Sequence, residues 1–450
     1  MSRSAVGAAP AATPGSRGTR PATSARRASA RPANLRVLPG KAPASSPRRT
    51  GSLSLEAKVL LGSVIGLCML GLPIVLSASA PGSVLAGGSP WSYFLRQTIY
   101  MAIGVTGAFL ASRIPIARIR QLRFLLPTFA LGLLVIVFLP GIGHYAGGSS
   151  RWIGLGPIQV QPSEIMKLAM VVFAADLLAR RATRDDQWHA VVRPLLIVLT
   201  VAAVLIVKQP DLGTAIVLGC ITFSLMFAAG IRLRLVGSSA AAAAAAGALL
   251  ALSASYRRDR LLSFLHPFAH ASTSGYQVVQ SLATLGLGGL TGSGVGGSAT
   301  PWGFLPNAHT DFVFAVIAGN LGLLGALAVL AGFAAFAWAG LRIAAREADP
   351  FARYVAVGVT CWILAQAVIN IGGVVDALPV TGIPLPFISY GGSALGIVLV
   401  GTGVLFGIAR RQTVALARRP VAKAPRGAAR RPVAKAPAKT KGHRAKAGSA

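Results

Sequence analysis

Residues 312–341 read FVFAVIAGNLGLLGALAVLAGFAAFAWAGL, a run of 30 residues without a charged side chain. About 20 mostly apolar residues are enough for an α-helix to cross a lipid bilayer. Nine further stretches are apolar enough to do the same, although three of them (161–179, 192–207 and 210–229) are short or carry charges, so nine or eleven spans stay open. The ten predicted spans are 57–79, 93–112, 123–140, 161–179, 192–207, 210–229, 235–253, 312–341, 352–373 and 388–409.

The composition of the whole chain agrees with this interpretation. Of the 450 residues, 54% are apolar and only 12% are charged, whereas soluble domains carry roughly 25% charged residues. So few charges cannot cover that much apolar surface in water, which excludes a soluble enzyme. The chain is therefore predicted to be an all-α polytopic membrane protein with about ten transmembrane helices. The three cysteines, Cys68, Cys220 and Cys361, each lie in an apolar run and are interpreted as buried hydrophobic residues rather than disulfide partners.

The charges predict the orientation of the chain in the membrane. Lys and Arg number 44 against 11 Asp and Glu, and alternate loops between the predicted spans differ in their content: one set holds 13 Arg, the other 5 basic residues. Cytoplasmic loops carry the basic excess. With an even number of spans, both termini are then cytoplasmic, and the membrane is the cytoplasmic one.

Three regions are expected along the chain. Residues 1–52 and 411–450 are basic tails, rich in Pro, Ala and Arg and almost free of aromatic residues, which is typical of disorder. Residues 53–410 form the membrane domain. A basic cytoplasmic tail is attracted to anionic lipid head groups. Nucleic-acid binding by the tails is the alternative, but the membrane is the expected partner.

Two long loops on the predicted outer side are rich in Gly and polar residues, which suits a substrate site. They are 141–163 and, between spans 7 and 8, the larger 254–311. The acidic residues on or near this side are Glu164, Asp211, Asp259, Asp311 and Asp376.

Asp311 is the most informative of these residues. It follows His309 and Thr310 where a polar loop enters the apolar run that begins at Phe312. A carboxylate at that depth is costly unless it is paired or functional. The alternative is a helix N-cap, because Asp accepts backbone N–H bonds and favours the positive end of the helix dipole. Spacing alone leaves both interpretations open.

Glu164 and Lys167 stand three residues apart after Pro162, which places them on one face of a helix where they can pair. The alternative is that Lys167 faces a cavity and neutralises a phosphate of a lipid-linked substrate. Arg96, at the outer start of span 2, allows the same two interpretations, since Arg is suited to bidentate phosphate contact. Asp211 is expected to pair locally or to cap span 6.

Sequence motifs for metal or cofactor chemistry are weak or missing. His266 and His270 are four apart, but Pro267 lies between them, so no metal site is predicted. The chain contains neither a phosphate-binding Gly-Lys-Ser/Thr loop nor HExxH. No organic cofactor is expected.

The motifs together resemble the SEDS family (shape, elongation, division and sporulation), the FtsW/RodA/SpoVE group, over residues 57–410. Five motifs carry the resemblance: Ser150-Arg151-Trp152-Ile153 with Gln161-Pro162-Ser163-Glu164 and Lys167, Lys208 through Thr214, Gly275-Tyr276-Gln277 with Gln280-Ser281, Leu305-Pro306 through Phe312, and Pro379 through Phe387 followed by Ser389 through Ser393.

The resemblance implies a peptidoglycan glycosyltransferase that polymerises lipid II, the undecaprenyl-pyrophosphate-linked disaccharide-pentapeptide. It implies that Asp311 is the catalytic general base. Arg96, Lys167 and a divalent cation (Mg or Mn) would stabilise the leaving pyrophosphate. The other substrate-binding candidates are Glu164, His309, Ser393 and Trp152, the last as a sugar-stacking surface or an interfacial anchor.

The resemblance also implies partners, namely a class B penicillin-binding protein and other divisome proteins. Two different functions remain as alternatives: a lipid II flippase, or a SEDS scaffold that has lost its chemistry and recruits the synthase. The entry at 260–265, the Gly-rich run 286–297 and the long basic tails favour the division branch (FtsW type) of an actinobacterium.

One departure from the family pattern concerns activity. After the aspartate motif the family usually carries Glu-Glu-Leu-Gly, but this chain reads Gly319-Asn320-Leu321-Gly322. Both acids are missing, which is the sequence support for the scaffold. Asp376 is an unexpected acid that could compensate.

Overall fold

The protein is described here by a computed structural model. It covers residues 53–418 apart from short breaks at 141–142, 147–148, 156–157, 254–257, 259–262, 274, 295 and 298–304. The predicted disordered tail 1–52, the end of the second tail (419–450), Asp259 and parts of both long loops therefore lie outside the described residues.

α-Helices make up most of the described chain, and each of the ten predicted apolar stretches overlaps one of them. The helices are α1 (Leu55–Leu85), α2 (Ser92–Arg113), α3 (Ile116–Gln121), α4 (Leu125–Ile136), α5 (Pro162–Arg181), α6 (Arg193–Lys208), α7 (Leu212–Ala228), α8 (Leu233–Leu252), α9 (Tyr276–Leu287), α10 (Val313–Arg346), α11 (Pro350–Val374) and α12 (Ser393–Arg418). A π-helical turn, Trp188–Val192, leads directly into α6.

Seven helices of the described chain are long and apolar enough to cross a membrane, which confirms a multi-pass membrane protein. They are α1, α2, α6 with its π-helical turn, α8, α10, α11 and α12. Two shorter apolar helices, α4 and α7, and the charged helix α5 correspond to the other three predicted spans. The count of ten stays a prediction. α12 continues to Arg418, so the first residues of the predicted tail from 411 are helical.

Helix α5 lies in the interior although it is the most charged of the predicted spans. Fourteen of its 20 residues are buried, and it packs against α4, α7 and α11. Its charged side chains are paired inside the protein, as described below, because an ion in a low-dielectric interior is stable only with partners. Neighbouring helices approach closely through small residues, as where Gly403 of α12 faces the backbone of Ala108 on α2.

Helix α10 is broken at Gly322, whose backbone angles are φ 66° and ψ −161°. Only glycine adopts this region readily. The loop 288–294, called the crossing loop here, passes over the break so closely that a Cβ atom on Gly322 would lie 2.4 Å from the backbone of Leu290. A larger residue at 322 would therefore be excluded by both conformation and space.

The crossing loop also satisfies backbone groups that the break leaves without helical partners. The Leu323 amide donates to the Gly289 carbonyl at 2.9 Å, and the Gly294 amide donates to the Asn320 carbonyl at 2.9 Å. A second pair of bonds joins Ser293 to Gly319 and Leu324 to Leu290. Irregular backbone at membrane depth is tolerated only where it is buried in protein or lines a cavity, and here other backbone completes it.

The first predicted outer loop contains a small antiparallel sheet, which the sequence did not predict. Its strands are β1 (Gly143–Ala146), β2 (Ser149–Leu155) and β3 (Ile158–Val160), in the order β1-β2-β3. Trp152 pairs with His144 in the register of β1 and β2. The second loop likewise contains the unpredicted helix α9. Both loops are thus partly ordered secondary structure.

Candidate active site

The aspartate motif forms a turn immediately before α10. Asn307 has a left-handed backbone (φ 56°), a conformation in which Asn is enriched. The amides of Thr310 and Asp311 both donate to the Asn307 carbonyl, at 3.1 and 3.2 Å. This turn places Asp311 half-buried at the end of the loop, one residue before the buried Phe312.

Asp311 stands one residue before the N-cap position of helix α10. Helix α10 begins at Val313, its N-cap residue is Phe312, and the Phe312 side chain makes no cap hydrogen bond. A capping Asp would occupy the N-cap position and accept an amide hydrogen of the first turn. Asp311 does not occupy that position, and its catalytic role stays a prediction.

Asn370 of α11 holds the turn in place. Its Nδ2 donates to the backbone carbonyl of Asp311 at 2.8 Å and to that of Ile383 at 2.7 Å. The side chain is buried, since only 5% of Asn370 is exposed. One buried amide therefore fixes two separate segments of the chain against each other: the aspartate turn and the loop 379–387.

The loop 379–387 brings its backbone close to the Asp311 carboxylate. A Cβ atom built on Gly382 would lie 3.7 Å from Oδ2 of Asp311. The two residues share a small cavity with Asn370, Gly373 and Thr381. A carboxylate at the edge of a cavity lined by backbone and a hydroxyl can reach a small polar group that enters there.

An aromatic patch lies beside the aspartate turn and includes His309. The ring of His309 is 4.7 Å from that of Tyr93 and 5.7 Å from that of Tyr390, between centroids. The Tyr390 amide donates to the His309 carbonyl at 2.9 Å, and Ser389 Oγ donates to the Thr310 carbonyl at 2.6 Å. Ser389 and Tyr390, which follow the loop 379–387, thus pack against the aspartate turn.

The environment of this patch changes two pKa values. Burial lowers the pKa of His309 to about 4, so its imidazole is neutral near pH 7 and can both donate and accept a hydrogen bond. Burial raises the pKa of Tyr390, and a hydrogen bond and the charge of Arg96 partly offset this rise. Arg96 is exposed on α2. The structure therefore brings Arg96 to Tyr390, whose ring packs against His309 of the aspartate turn.

Lys167 is placed differently from the sequence hypothesis of phosphate contact. It is fully buried, and its Nζ lies 2.7 Å from Oε1 of Glu164 and 3.0 Å from Oε1 of Gln366, with the ring of Trp362 centred 5.6 Å away. The predicted i, i+3 pair is confirmed. These partners surround the ammonium group, so the geometry favours the structural ion pair over a phosphate contact.

The buried pair is connected to the support of Asp311. Gln366 Nε2 donates to the Pro384 carbonyl at 3.0 Å, and Asn370 stands one helical turn later on α11. Two amides on one face of α11 therefore bond the same loop, 379–387. Sequence reasoning missed both. The available signal was a pair of amides four residues apart within an apolar run, a spacing that puts them on one helix face.

The remaining candidates have structural contacts. Ser393 Oγ accepts a hydrogen bond from the Gln161 amide at 3.0 Å, which joins the start of α12 to the start of α5. Trp152 is half-exposed on β2, and its neighbour Arg151 donates to the carbonyls of Gln209 and Pro210. Neither set of contacts includes the aspartate turn. The predicted roles of Ser393 and Trp152 in substrate binding stay predictions.

Asp211 is confirmed as a helix cap. It is the N-cap of α7, where its carboxylate accepts from the Thr214 amide at 3.1 Å and from the Thr214 hydroxyl at 2.9 Å. Gln161 Nε2 also donates to it at 3.2 Å. Asp211 is only 3% exposed. Its burial and its contacts with Thr214 and Gln161 indicate a structural role.

Gly319 and Asn320, which replace the two glutamates of the family pattern, lie at the break in α10. Asn320 is fully buried, and its Nδ2 donates to Ser77 Oγ of α1 at 2.9 Å. Asp376, the acid considered as compensation, follows the end of α11 with a left-handed backbone (φ 58°), and burial raises the pKa of its carboxyl. The substituted residues are thus part of the packing between α10, α1 and the crossing loop.

Within the described residues, no group of three or more His, Cys, Asp or Glu side chains could hold a metal ion. Mg²⁺ often uses one or two carboxylates together with substrate phosphates. The described part of the chain therefore offers no metal cage of its own.

These features define a multi-pass helical membrane protein with a half-buried carboxylate, a neutral histidine and an exposed arginine gathered between helix ends and loops. A sequence profile described as "Cell cycle protein", that of the FtsW/RodA/SpoVE family, matches residues 58–414. The chain belongs to this family.

Individual relatives agree with that assignment. A protein of Mycobacterium tuberculosis named "Probable peptidoglycan glycosyltransferase FtsW" is 41% identical over 78% of this chain and 67% of its own length. A protein of the same name in Hahella chejuensis is 38% identical over 81% of this chain and 92% of its own length. Stage V sporulation protein E of Bacillus subtilis is 38% identical over 76% of this chain and 94% of its own length. The chain is thus an FtsW-type member.

Solved structures show the same fold. A chain from a study titled "Structural coordination of polymerization and crosslinking by a peptidoglycan synthase complex" superposes with a TM-score of 0.65 at 28% identity, covering 78% of this chain and 97% of that chain. The rod shape determining protein RodA of Thermus thermophilus gives a TM-score of 0.58 at 25% identity, covering 78% and 96%.

Proposed function

We propose that this protein is a peptidoglycan glycosyltransferase that polymerises lipid II into β-1,4 glycan strands during cell division. The observation that carries the proposal is the Asp311 carboxylate at the edge of a cavity, on a turn whose backbone is held by Asn370. The names of the relatives supply the reaction class. The protein works at the outer face of the cytoplasmic membrane, with both termini in the cytoplasm, as the arginine distribution of the loops predicts.

In the proposed reaction Asp311 acts as the general base. It takes the proton of a sugar 4-hydroxyl as the oxygen attacks the anomeric carbon of the donor. The new C–O bond forms while the bond to the pyrophosphate breaks, and the pyrophosphate leaves with the bonding electrons. A single displacement at an α-linked donor inverts the centre and gives the β linkage.

Arg96 is proposed to stabilise the leaving pyrophosphate. Its guanidinium is exposed beside Tyr390 and the aspartate turn, and a planar guanidinium suits bidentate phosphate contact. His309, neutral near pH 7, is proposed to hydrogen-bond the sugar. A divalent cation, Mg or Mn, is proposed to arrive with the pyrophosphate and to neutralise part of its charge, since the described residues provide no metal cage.

The proposed partners are lipid II, a class B penicillin-binding protein that cross-links the strands, and other divisome proteins. The peptidoglycan synthase complex among the structural relatives supports such a partner. The second candidate function, a non-catalytic scaffold for that partner, is favoured by one observation, the Gly319-Asn320 departure. No comparable observation favours the flippase.

The test is lipid II polymerisation by the full-length protein purified with its class B partner, in detergent with a divalent cation. We expect glycan strands, resolved by gel electrophoresis, when the partner's own transpeptidase is blocked. A complex that assembles but forms no strands would contradict the proposal and support the scaffold.

Asn370 provides a prediction about positioning. Asn370→Ala removes the side-chain amide that donates to the carbonyls of both Asp311 and Ile383. A displacement of about 1 Å at a reacting group lowers rates by up to 10²-fold, so we expect polymerisation to fall roughly tenfold to a hundredfold. The measurement is the rate of strand formation, together with thermal unfolding.

Thr360→Val is the matched control for this change. Thr360 is a buried polar residue of the same helix, and its hydroxyl donates only within α11, to Ala356 at 2.7 Å. Equal losses of activity in both variants would mean that Asn370 acts through general helix stability, against a positioning role.

A further inference from the structure

We propose that an arginine cluster at the opposite, inward-facing loops binds the phosphate head group of an anionic phospholipid. The Asp176 cluster consists of Asp176 and Arg180 on α5, Arg120 on α3, and Arg123 between α3 and α4. It is far along α5 from Glu164 and Lys167, at the other end of the helix. The proposal does not rest on the proposed enzymatic function.

A single buried carboxylate organises the cluster. The side chain of Asp176 is 1% exposed, and Oδ1 lies 2.7 Å from Nε of Arg120. Its Oδ2 contacts Nη2 of Arg180 and lies 3.5 Å from Nε of Arg123. Three guanidinium groups therefore meet at one carboxylate, two from Arg120 and Arg123 and one from Arg180 of α5, and the carboxylate offsets their mutual repulsion.

The cluster retains a net charge of +2 and unused hydrogen-bond donors. Arg120 and Arg123 both turn Nε towards Asp176, which leaves the two terminal nitrogens of each guanidinium for other acceptors. Nothing within the described parts of the chain accepts from those terminal nitrogens. The arginine side chains are 35–37% exposed. Paired terminal N–H groups of this kind match two oxygens of a phosphate.

Aromatic rings lie next to two of the arginines. The Cζ atom of Arg120 lies 5.5 Å from the ring centroid of Phe351, and that of Arg123 lies 5.1 Å from the ring centroid of Phe124. Stacking on an aromatic face reduces the freedom that an arginine loses on binding. The donors are thus already arranged in the protein without a ligand.

The apolar surroundings distinguish a lipid from a free phosphate. Arg123 lies between Leu122 and Phe124, which are 40% and 56% exposed, and the next residue, Leu125, is 67% exposed. Exposed apolar side chains next to positive charge fit a ligand that joins a phosphate to hydrocarbon chains. Basic pockets between helices at the cytoplasmic side are known to hold anionic lipid head groups.

The experiment measures lipid retention by the full-length protein with phosphatidylglycerol as the anionic probe and phosphatidylcholine as the neutral one, by native mass spectrometry. The test variant is Arg120→Gln/Arg123→Gln. The control, Arg184→Gln/Arg234→Gln, removes the same charge from exposed arginines of the inward loops. The basic tails are identical in both, so their contribution cancels.

We expect the test variant to lose affinity for phosphatidylglycerol by about fivefold for each arginine, the ratio typical of one basic side chain near an anionic surface. The control should lose much less, and phosphatidylcholine should bind all variants equally. Equal losses in test and control variants would overturn the proposal, as would displacement of the lipid by inorganic phosphate alone.

Asp176→Asn separates a built site from simple charge attraction. This variant is one unit more positive, so charge alone predicts stronger binding of phosphatidylglycerol. The proposal predicts weaker binding, because the carboxylate that gathers the three guanidinium groups is removed. Stronger binding would overturn the proposal. If the variant does not fold, the arginine pairs still decide the question.

Discussion

Replacing Asp311 by asparagine should reduce lipid II polymerisation by about 10²- to 10⁴-fold, the contribution of a general base. Asparagine keeps the shape and polarity of the side chain and cannot take up the proton of the attacking hydroxyl. The backbone bond from Asn370 to residue 311 does not depend on the side chain, so the turn should persist. The measurement is the rate of glycan strand formation in the complex with the class B partner, with Asp311→Ala beside it.

The controls for this prediction address folding and charge. Asp185→Asn removes one negative charge from an exposed residue of the loop that follows α5 and should leave the rate unchanged. Thermal unfolding of Asp311→Asn should match that of the wild type within a few degrees. Polymerisation at an undiminished rate by Asp311→Asn would exclude Asp311 as the base, and an equal loss in Asp185→Asn would point to an indirect effect.

Replacing Lys167 by methionine should destabilise the protein by about 3–5 kcal/mol, the range for removing one partner of a buried ion pair. Glu164 would stay buried with its main partner gone, and its second oxygen, Oε2, already has no hydrogen-bond partner among the described residues. Gln366 would also lose a donor that helps to hold it against Pro384. Thermal or denaturant unfolding in detergent measures the effect.

The double variant Glu164→Gln/Lys167→Met tests whether this role is structural. It removes both charges, and neutral replacement of a buried pair is often tolerated, so most of the lost stability should return. Activity should return with it. Recovery of stability without recovery of polymerisation would show that Lys167 also acts on the substrate, contrary to the burial of its ammonium group.

Sequence patterns predicted the helices well because apolar length is a property of each segment alone. The Glu164–Lys167 pair and the Asp211 cap were predictable for the same reason, since both depend on spacings of three residues within one segment. The bonds of Asn370 join residues 59 and 13 positions apart in the chain, and no local pattern specifies such partners.

Sequence spacing also did not reveal which side chains are buried. The sequence left Lys167 open to a cavity, whereas α5 lies in the interior and Trp362 and Gln366 of α11 close over the ammonium group. The small sheet of the first loop and the helix α9 of the second were missed because short strands and a 12-residue helix give weak signals beside long apolar runs.

The break in α10 has a consequence for the evolution of this enzyme family. The crossing loop is joined to the helix by main-chain hydrogen bonds, which are the same whatever side chains the loop carries. Four of its seven residues are nevertheless glycine: Gly289, Gly292 and Gly294 have positive φ, and a Cβ atom on Gly288 would lie 2.1 Å from the carbonyl oxygen of Ala318. Gly322 is held likewise by its backbone angles and by the close approach of Leu290. Drift in this region should therefore keep the glycines on both sides of the contact and be concentrated at loop positions such as Leu290 and Thr291.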